Sequence, residues 1–259
     1  MQQPIGIFDS GVGGTSIWRE IQNLLPNEST IYLADSKNAP YGAKSEEEIL
    51  RLSIKNTELL LQKECKLIVV ACNTATTNAI DHLRAHYKVP FIGIEPAIKP
   101  AALQTKTKNV GILATKGTLS SSLFNSTSKM FAEGITVHEQ EGTGLVELIE
   151  AGKLNSSITK DLLKKYLDPM LERDIDCLVL GCTHYPYLIP LLREILPTQI
   201  NIIDSGAAVA RQTKTILERN HMDAQTSPTN FHKFYSNLNL DILSSMVEGP
   251  AVQVEFLDF

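Results

Sequence analysis

Aromatic side chains make up only 6% of the 259 residues. No apolar run approaches the ~20 residues that a membrane-spanning helix needs, so no membrane partner is expected. Cysteine is sparse too: the chain has 4, none in a C-x-x-C, which excludes a disulfide-stapled secreted domain and a zinc ribbon. Basic residues are not in excess, since 24 Lys and Arg face 29 Asp and Glu for a net charge of −5. With no basic block either, the electrostatic footprint of a nucleic-acid binder is missing. The start, MQQPIGIFDS, lacks a basic segment followed by an apolar one, so a cytoplasmic location is expected. Only Met1 to Gln3 precede the first apolar run, and an activator site built on an N-terminal extension is therefore not expected.

What is present is ordinary for a globular protein, 43% hydrophobic and 20% charged, and long enough for one large or two modest domains. Apolar, β-branched runs at Pro4 to Phe8, Thr30 to Ala34, Lys66 to Ala71, Pro90 to Ile94, Asn109 to Ala114, Asp176 to Gly181 and Gln199 to Asp204 predict strands. Their near-continuous apolar character predicts parallel strands buried on both faces. Helical patterns fall between them. Ile17, Ile21, Leu24 and Leu25 precede a stop at Pro26, and Ile49, Leu52, Leu59 and Leu60 follow a capping box at Ser45 to Glu48. Leu163, Tyr166, Leu167, Met170 and Leu171 predict a helix kinked or restarted around Pro169, and Leu188, Leu191, Leu192 and Ile195 predict the next. This alternation predicts an α/β fold. After a loop at Thr226 to Asn230, the tail reads as strand, helix and strand at Phe231 to Tyr235, Asp241 to Val247 and Val252 to Phe256, expected to close one sheet.

Two internal echoes predict two similar α/β lobes facing one another. KLIVVACNTATTNAI and DCLVLGCTHYPYLIP share the order strand, Cys, Thr-rich turn, helix; IGIFDSGVGG and NIIDSGAAVA share a strand leading into Asp-Ser-Gly.

In open parallel sheets a ligand sits beyond the carboxyl ends of strands, where the N–H groups of following helices point into the crevice. The unusual residues of this chain fall there: Asp9-Ser10, Pro40-Tyr41-Gly42, Cys72-Asn73-Thr74, Thr115 with Thr118, and Cys182-Thr183-His184. These are small donors without a conspicuous arginine, which suits a small carboxylate better than a polyphosphate. Cys72 and Cys182, each ending a strand before a helix, are expected to have lowered pKa values and to act as acid and base. Cys65 and Cys177 precede strands and read as buried packing residues.

Other readings stay open at this level. Cys182 and His184 could hold a metal with carboxylates, although one C-x-H pair is a weak signal. They could form an acyl-transfer pair, although residues two apart rarely face each other on one turn and Cys72 would be idle. DSGVGG lacks the spacing of a dinucleotide fingerprint and reads as tight strand-helix packing. Asp9 could be an N-cap, His184 a core histidine and Pro40-Tyr41 a plain turn.

GIFDSGVGGTS, YLADSKNAPYG, VVACNTATT, ILATKGT, GLVELIEAG and LVLGCTHYPYL, in this order from Ile5 to Gly206, resemble the glutamate racemase family of cofactor-independent amino-acid racemases. The resemblance implies two lobes, each a mainly parallel sheet flanked by helices, with the active site in the cleft between them. Residues 1–97 with 208–259 would form the first lobe and 98–207 the second. It implies that Cys72 and Cys182 are the catalytic thiols, with Asp9 supporting Cys72, and His184 and Glu150 supporting Cys182. It implies substrate contacts from Asp9, Ser10, Pro40, Tyr41, Gly42, Asn73, Thr74, Thr115, Thr118, Thr183 and His184. The expected substrate is L- or D-glutamate, the expected use peptidoglycan synthesis, and the expected assembly a homodimer. No metal is expected, and no pyridoxal phosphate, since no lysine stands at the strand-end sites and the family does without one. Aspartate or hydantoin racemases of the same superfamily, and a Cys-dependent hydrolase or acyltransferase, are the alternatives.

Overall fold

The computed structural model describes residues 3–131, 133–224, 230–238, 240–249 and 251–259. In chain order the elements begin β1 (Ile5–Asp9), α1 (Thr15–Leu24), β2 (Thr30–Ala34), α2 (Glu46–Gln62), β3 (Leu67–Val70), α3 (Asn73–His86) and β4 (Phe91–Gly93). They continue with α4 (Ile98–Gln104), β5 (Asn109–Ala114), α5 (Lys116–Leu119), α6 (Ser122–Phe131), β6 (Thr136–Glu141), α7 (Leu145–Glu150), α8 (Ser157–Leu171), β7 (Cys177–Gly181), α9 (Ile189–Ile195) and β8 (Asn201–Ile203). The chain closes with α10 (Gly206–Arg219), β9 (His232–Ser236), α11 (Leu240–Met246) and β10 (Val252–Phe256). The predicted strands are all present, their ends moved by a residue or two.

These strands form two parallel sheets flanked by helices, one in the order β10-β9-β2-β1-β3-β4 and the other β6-β5-β7-β8. Because every pairing is parallel, all carboxyl ends of a sheet lie on one edge. The block β2-β1-β3-β4 repeats as β6-β5-β7-β8, so each sheet reverses its winding direction at one central strand, β1 or β5. Crevices at such reversal points are where α/β sheets hold ligands. The first sequence echo is matched in the fold, since Cys72 follows β3 and Cys182 follows its counterpart β7. The second echo is not: Asp9 follows the central strand β1, whereas Asp204 follows the edge strand β8.

Burial explains which strands the sequence announces. β1, β2, β3 and β7 are buried at every position, as helices on both sheet faces require. The strand missed is β6, an edge strand of sequence TVHEQE with no fully buried residue, whose polar composition blunts an exposed edge. Pro169 neither breaks nor restarts α8, which runs as one helix to Leu171. Half of the capping box forms: Ser45 Oγ accepts the Glu48 N–H at 3.3 Å, but the Glu48 carboxylate turns to Arg51. The tail closes the first sheet as expected, with β9 against β2; residues 226–229 of the loop expected before it lie outside the described residues. Trp18 holds this seam, its indole N–H on Thr30 Oγ1 at 3.0 Å and its ring edge-on to Phe234 at 4.8 Å.

The chain crosses between the sheets after β4 and returns after β8, and Ser205 Oγ donates to Glu95 O at 2.5 Å where the two crossings meet. One continuous apolar cluster runs from Ile5, Ile7 and Trp18 of the first lobe to Leu113, Leu180 and Cys182 of the second, so the lobes share a core.

Behind the first sheet, a buried ion pair joins Lys66 Nζ to Glu28 Oε2 at 2.7 Å. Lys66 also donates to Met222 O, and Glu28 accepts the Ala224 N–H, so the pair clasps the segment after α10. Removing one partner leaves a buried charge alone. Lys66→Met is therefore expected to lower the unfolding free energy by about 3 kcal/mol, with Glu28→Gln/Lys66→Met recovering part of the loss in a denaturant titration.

Candidate active site

The carboxyl ends of β1, β3, β5 and β7 converge on one inner cavity. Its lining contains Ser10, Pro40, Tyr41, Gly42, Cys72, Asn73, Thr74, Thr115, Cys182, Thr183 and His184, all predicted from the strand ends, and one residue not predicted, Val146. The remaining candidates Asp9, Thr118 and Glu150 stand immediately behind this wall.

Cys72 caps α3, and its Sγ lies 3.5 Å from the Ala75 N–H and 3.7 Å from Ser10 Oγ. The expected downward shift does not hold for this thiol. Burial and the negative charge of Asp9 push Cys72 well above the ordinary thiol value, and the Ala75 N–H and Ser10 hydroxyl recover only part of that. Asp9 is not the N-cap of α1, a place taken by Gly14. Its Oδ2 accepts the Gly14 N–H at 2.7 Å and its Oδ1 the Thr183 hydroxyl at 3.4 Å, so this carboxylate touches both lobes. Burial pushes Asp9 up to about 6, with His184 and the Gly14 N–H pulling the other way.

Across the cavity, Cys182 Sγ and His184 Nδ1 face each other at 3.7 Å. The expectation that residues two apart would not meet is corrected, because the chain turns tightly after β7 into the short helical turn Tyr185–Leu188. His184 Nε2 lies 2.6 Å from Glu150 Oε1 at the end of α7, and Glu150 also accepts from the Val12 N–H at 2.7 Å and Ser36 Oγ at 3.1 Å. The Gly13 N–H points at the same Nε2 from 3.2 Å. One nitrogen cannot both donate to a carboxylate and accept from an amide, and we assign the proton to Nε2 because the carboxylate is nearer and charged. Burial alone would depress His184, but its bonds to Cys182 and Glu150, together with the charge of Asp9, hold it well above the usual imidazole value. The imidazolium then donates through Nδ1 to Cys182 and through Nε2 to Glu150.

The glycines of DSGVGG have a purpose the sequence reading missed. A Cβ on Gly11 would collide with the Glu150 carboxylate, and one on Gly13 with the His184 ring, so this loop is bare to let the second lobe dock. Spacing along the chain carries no trace of that contact.

Hydroxyls from both lobes meet at the cavity floor, with Thr74 and Thr115 at 2.7 Å and Thr118 3.1 Å from Thr115. Asn73 is buried, and neither its amide nitrogen nor its oxygen has a hydrogen-bond partner. Buried amides are nearly always paired, so Asn73 is set to meet a polar ligand. Tyr41 lines the wall with its ring, while its hydroxyl is committed behind it, donating to Asp35 at 2.5 Å and accepting from Asn56 at 3.1 Å. An outer cavity of about 260 Å³ adjoins at Pro40, Gly42, Thr115 and Val146, and it includes Lys44 and Lys116. The expectation of strand ends without lysine is corrected for this outer region, though neither lysine lines the inner cavity. Cys65 and Cys177 are buried, with burial pushing them up to about 12 and about 11, and they keep their packing role.

A family model described as Asp/Glu/Hydantoin racemase matches residues 5–213. The glutamate racemase of Herpetosiphon aurantiacus is 50% identical over 215 residues, covering 83% of this chain and 85% of that protein. The crystal structure of a Bacillus anthracis glutamate racemase superposes with a TM-score of 0.86 at 31% identity, covering 99% and 97% of the two chains. The Escherichia coli glutamate racemase, solved with L-glutamate and the activator UDP-MurNAc-ala, gives 0.86 at 36% identity with 98% of each chain covered. The chain belongs to the Asp/Glu/hydantoin racemase family, in its glutamate racemase branch.

Proposed function

We propose that Cys72 and Cys182 are the two acid/base groups with which this isomerase interconverts L- and D-glutamate. The observation that carries the reading is the meeting of two free thiols, one from each lobe, in a single cavity beside the unpaired Asn73 amide. Inverting an α-carbon requires taking a proton from one face and returning one to the other, and two fixed bases avoid moving either base or substrate. In one direction one sulfur, as thiolate, takes the α-proton while the other, as thiol, delivers its own to the opposite face. The two sulfurs end with exchanged protonation, ready for the reverse reaction. His184 and Glu150 serve the Cys182 side, and Asp9 serves Cys72. The carboxylates of glutamate are met by Asn73, the Ser10, Thr74, Thr115 and Thr183 hydroxyls and helix-start N–H groups, with Thr118 holding Thr115. Exclusion of water strengthens these donors as charge develops. Enantiomers have equal free energy in water, so the equilibrium constant is one and later consumption draws the D-form onward.

The similarity to relatives of this branch supports further proposals: a role in supplying D-glutamate for peptidoglycan, a cytoplasmic location and a homodimer. No helix among the described residues is long and apolar enough to cross a membrane. For the lobe limits we propose 1–97 with 208–259, and 98–207; strand membership of the sheets supports this, and the second limit falls just inside α10. A covalent acyl-transfer reading would use the Cys182–His184 contact but gives Cys72 no task.

With L-glutamate in heavy water and no added cofactor, optical activity is expected to decay to zero as the α-position gains deuterium. Cys72→Ser and Cys182→Ser are each expected to lower kcat by about 10³-fold or more. A covalent adduct on Cys182, with Cys72→Ser fully active, would instead establish acyl transfer.

The Asp9 shift makes a second prediction. Its folded pKa of about 6 lies above the ordinary 3.8, so its contribution to stability is fully present below pH ~4 and is lost as pH rises through about 6. The difference corresponds to about 3 kcal/mol. Asp9→Asn is expected to be more stable than the wild type at pH 8 by up to that amount and equally stable at pH 4, by thermal unfolding. The acid limb of kcat/KM near pH 6 should disappear with it.

Glu150→Gln removes one of the groups that raise His184, so the imidazolium should lose its proton at lower pH. The alkaline limb of kcat should move down, and kcat should fall by about 10- to 100-fold in a pH–rate profile.

A further inference from the structure

The first turn of α1 is tied to the Cys182–His184 turn through two hydroxyls that the reaction above does not use. Tyr187 Oη lies 2.5 Å from Thr15 Oγ1, across the lobe boundary. Thr15 Oγ1 is also 2.6 Å from Val12 O. A carbonyl can only accept, so the threonine proton goes to Val12 and Tyr187 must be the donor to Thr15. The N–H of the same residue, on the other side of its Cα in the Gly11–Val12 peptide, donates to Glu150 Oε1, which binds His184 Nε2. Beside it, Ser16 Oγ donates to Thr183 O at 2.9 Å. Thr15 is fully buried, and the Tyr187 ring carries the Arg19 guanidinium 5.7 Å from its centroid, with Arg19 itself held by Met246 O at 3.1 Å. Tyr187 is thus fixed on its ring face and at its hydroxyl. The Cys72 partners, Ser10 Oγ and the Ala75 N–H, lie outside this line.

We propose that Thr15 and Tyr187 are positioning residues for the Cys182 half of the reaction. Tyr187 shares the short turn that follows His184, and Thr15 anchors the carbonyl of Val12, the residue whose N–H holds Glu150. Their bond therefore fixes the two supports of the His184 ring in one frame, one from each lobe. Without it Val12 loses its anchor and can shift, its N–H is no longer fixed on Glu150, and the imidazolium is no longer held in line with Cys182 Sγ. The proposal rests on the reading of Cys182 and His184 given above.

The test uses the full-length protein with Tyr187→Phe, Thr15→Val, the double variant and Thr15→Ser, alongside Cys182→Ser. Steady-state kinetics are measured in both directions, together with the primary isotope effect on α-deuterated glutamate of each hand. Tyr187→Phe and Thr15→Val are expected to lower kcat about tenfold while KM stays within about twofold, as misplacement of a reacting group does. The isotope effect should rise for one enantiomer only, the one whose α-proton Cys182 removes, because deprotonation becomes more rate-limiting there. The double variant should be no slower than either single one, the sign of one shared interaction. Thr15→Ser, which keeps the hydroxyl, should restore kcat. Unchanged kcat in Tyr187→Phe, or isotope effects that rise equally for both hands, would overturn the proposal. Full activity in Cys182→Ser would overturn the two-thiol reading itself and the positioning role with it.

Discussion

The contact between Glu150 and His184, pressed against the bare loop Gly11 to Gly14, governs the rest of the site. It is the place where the second lobe seats on the first, with a charged hydrogen bond of 2.6 Å inside and backbone N–H groups of the opposite lobe around it. Two thiols can act on one carbon only if their separation is held, and here they come from different sheets. A short buried charge-assisted bond, backed by glycines that admit no side chain, sets that separation more firmly than apolar packing alone.

The two halves differ in electrostatics although they repeat in fold. Cys182 faces an imidazolium sustained by a carboxylate, whereas Cys72 is pushed up by burial and by the charge of Asp9. The two thiols therefore sit in different electrostatic surroundings although they occupy equivalent places in the two sheets. Net charge does nothing here, since the chain is acidic and its substrate is an anion. On the reading proposed above, the attraction comes from oriented dipoles: hydroxyls, the unpaired amide of Asn73 and helix starts, which gain strength where water is excluded.

The duplicated strand order explains why these groups meet. Each sheet reverses its winding beside its central strand, and the crevices opened there are turned toward one another. The first crevice delivers Asp9, Ser10 and Cys72; the second delivers Thr115, Cys182 and His184. A shared apolar core and the Ser205–Glu95 bond at the crossing keep the crevices opposed.

By itself the sequence determined the strands, their parallel pairing, the duplicated Cys-bearing units and nearly every residue of the cavity lining. Those follow from local rules, because doubly buried strands must be continuously apolar and sheet ligands bind at strand ends. The polar edge strand β6 escaped, having no apolar run to announce it. Only the tertiary structure decided that Glu150 braces His184, that Gly11 and Gly13 make room for them, that the Tyr41 hydroxyl points away from the cavity, and that Cys72 is raised rather than lowered. Each depends on which distant groups share a small buried volume, and the strength of a charge there is set by burial and neighbours, quantities that no spacing along the chain encodes.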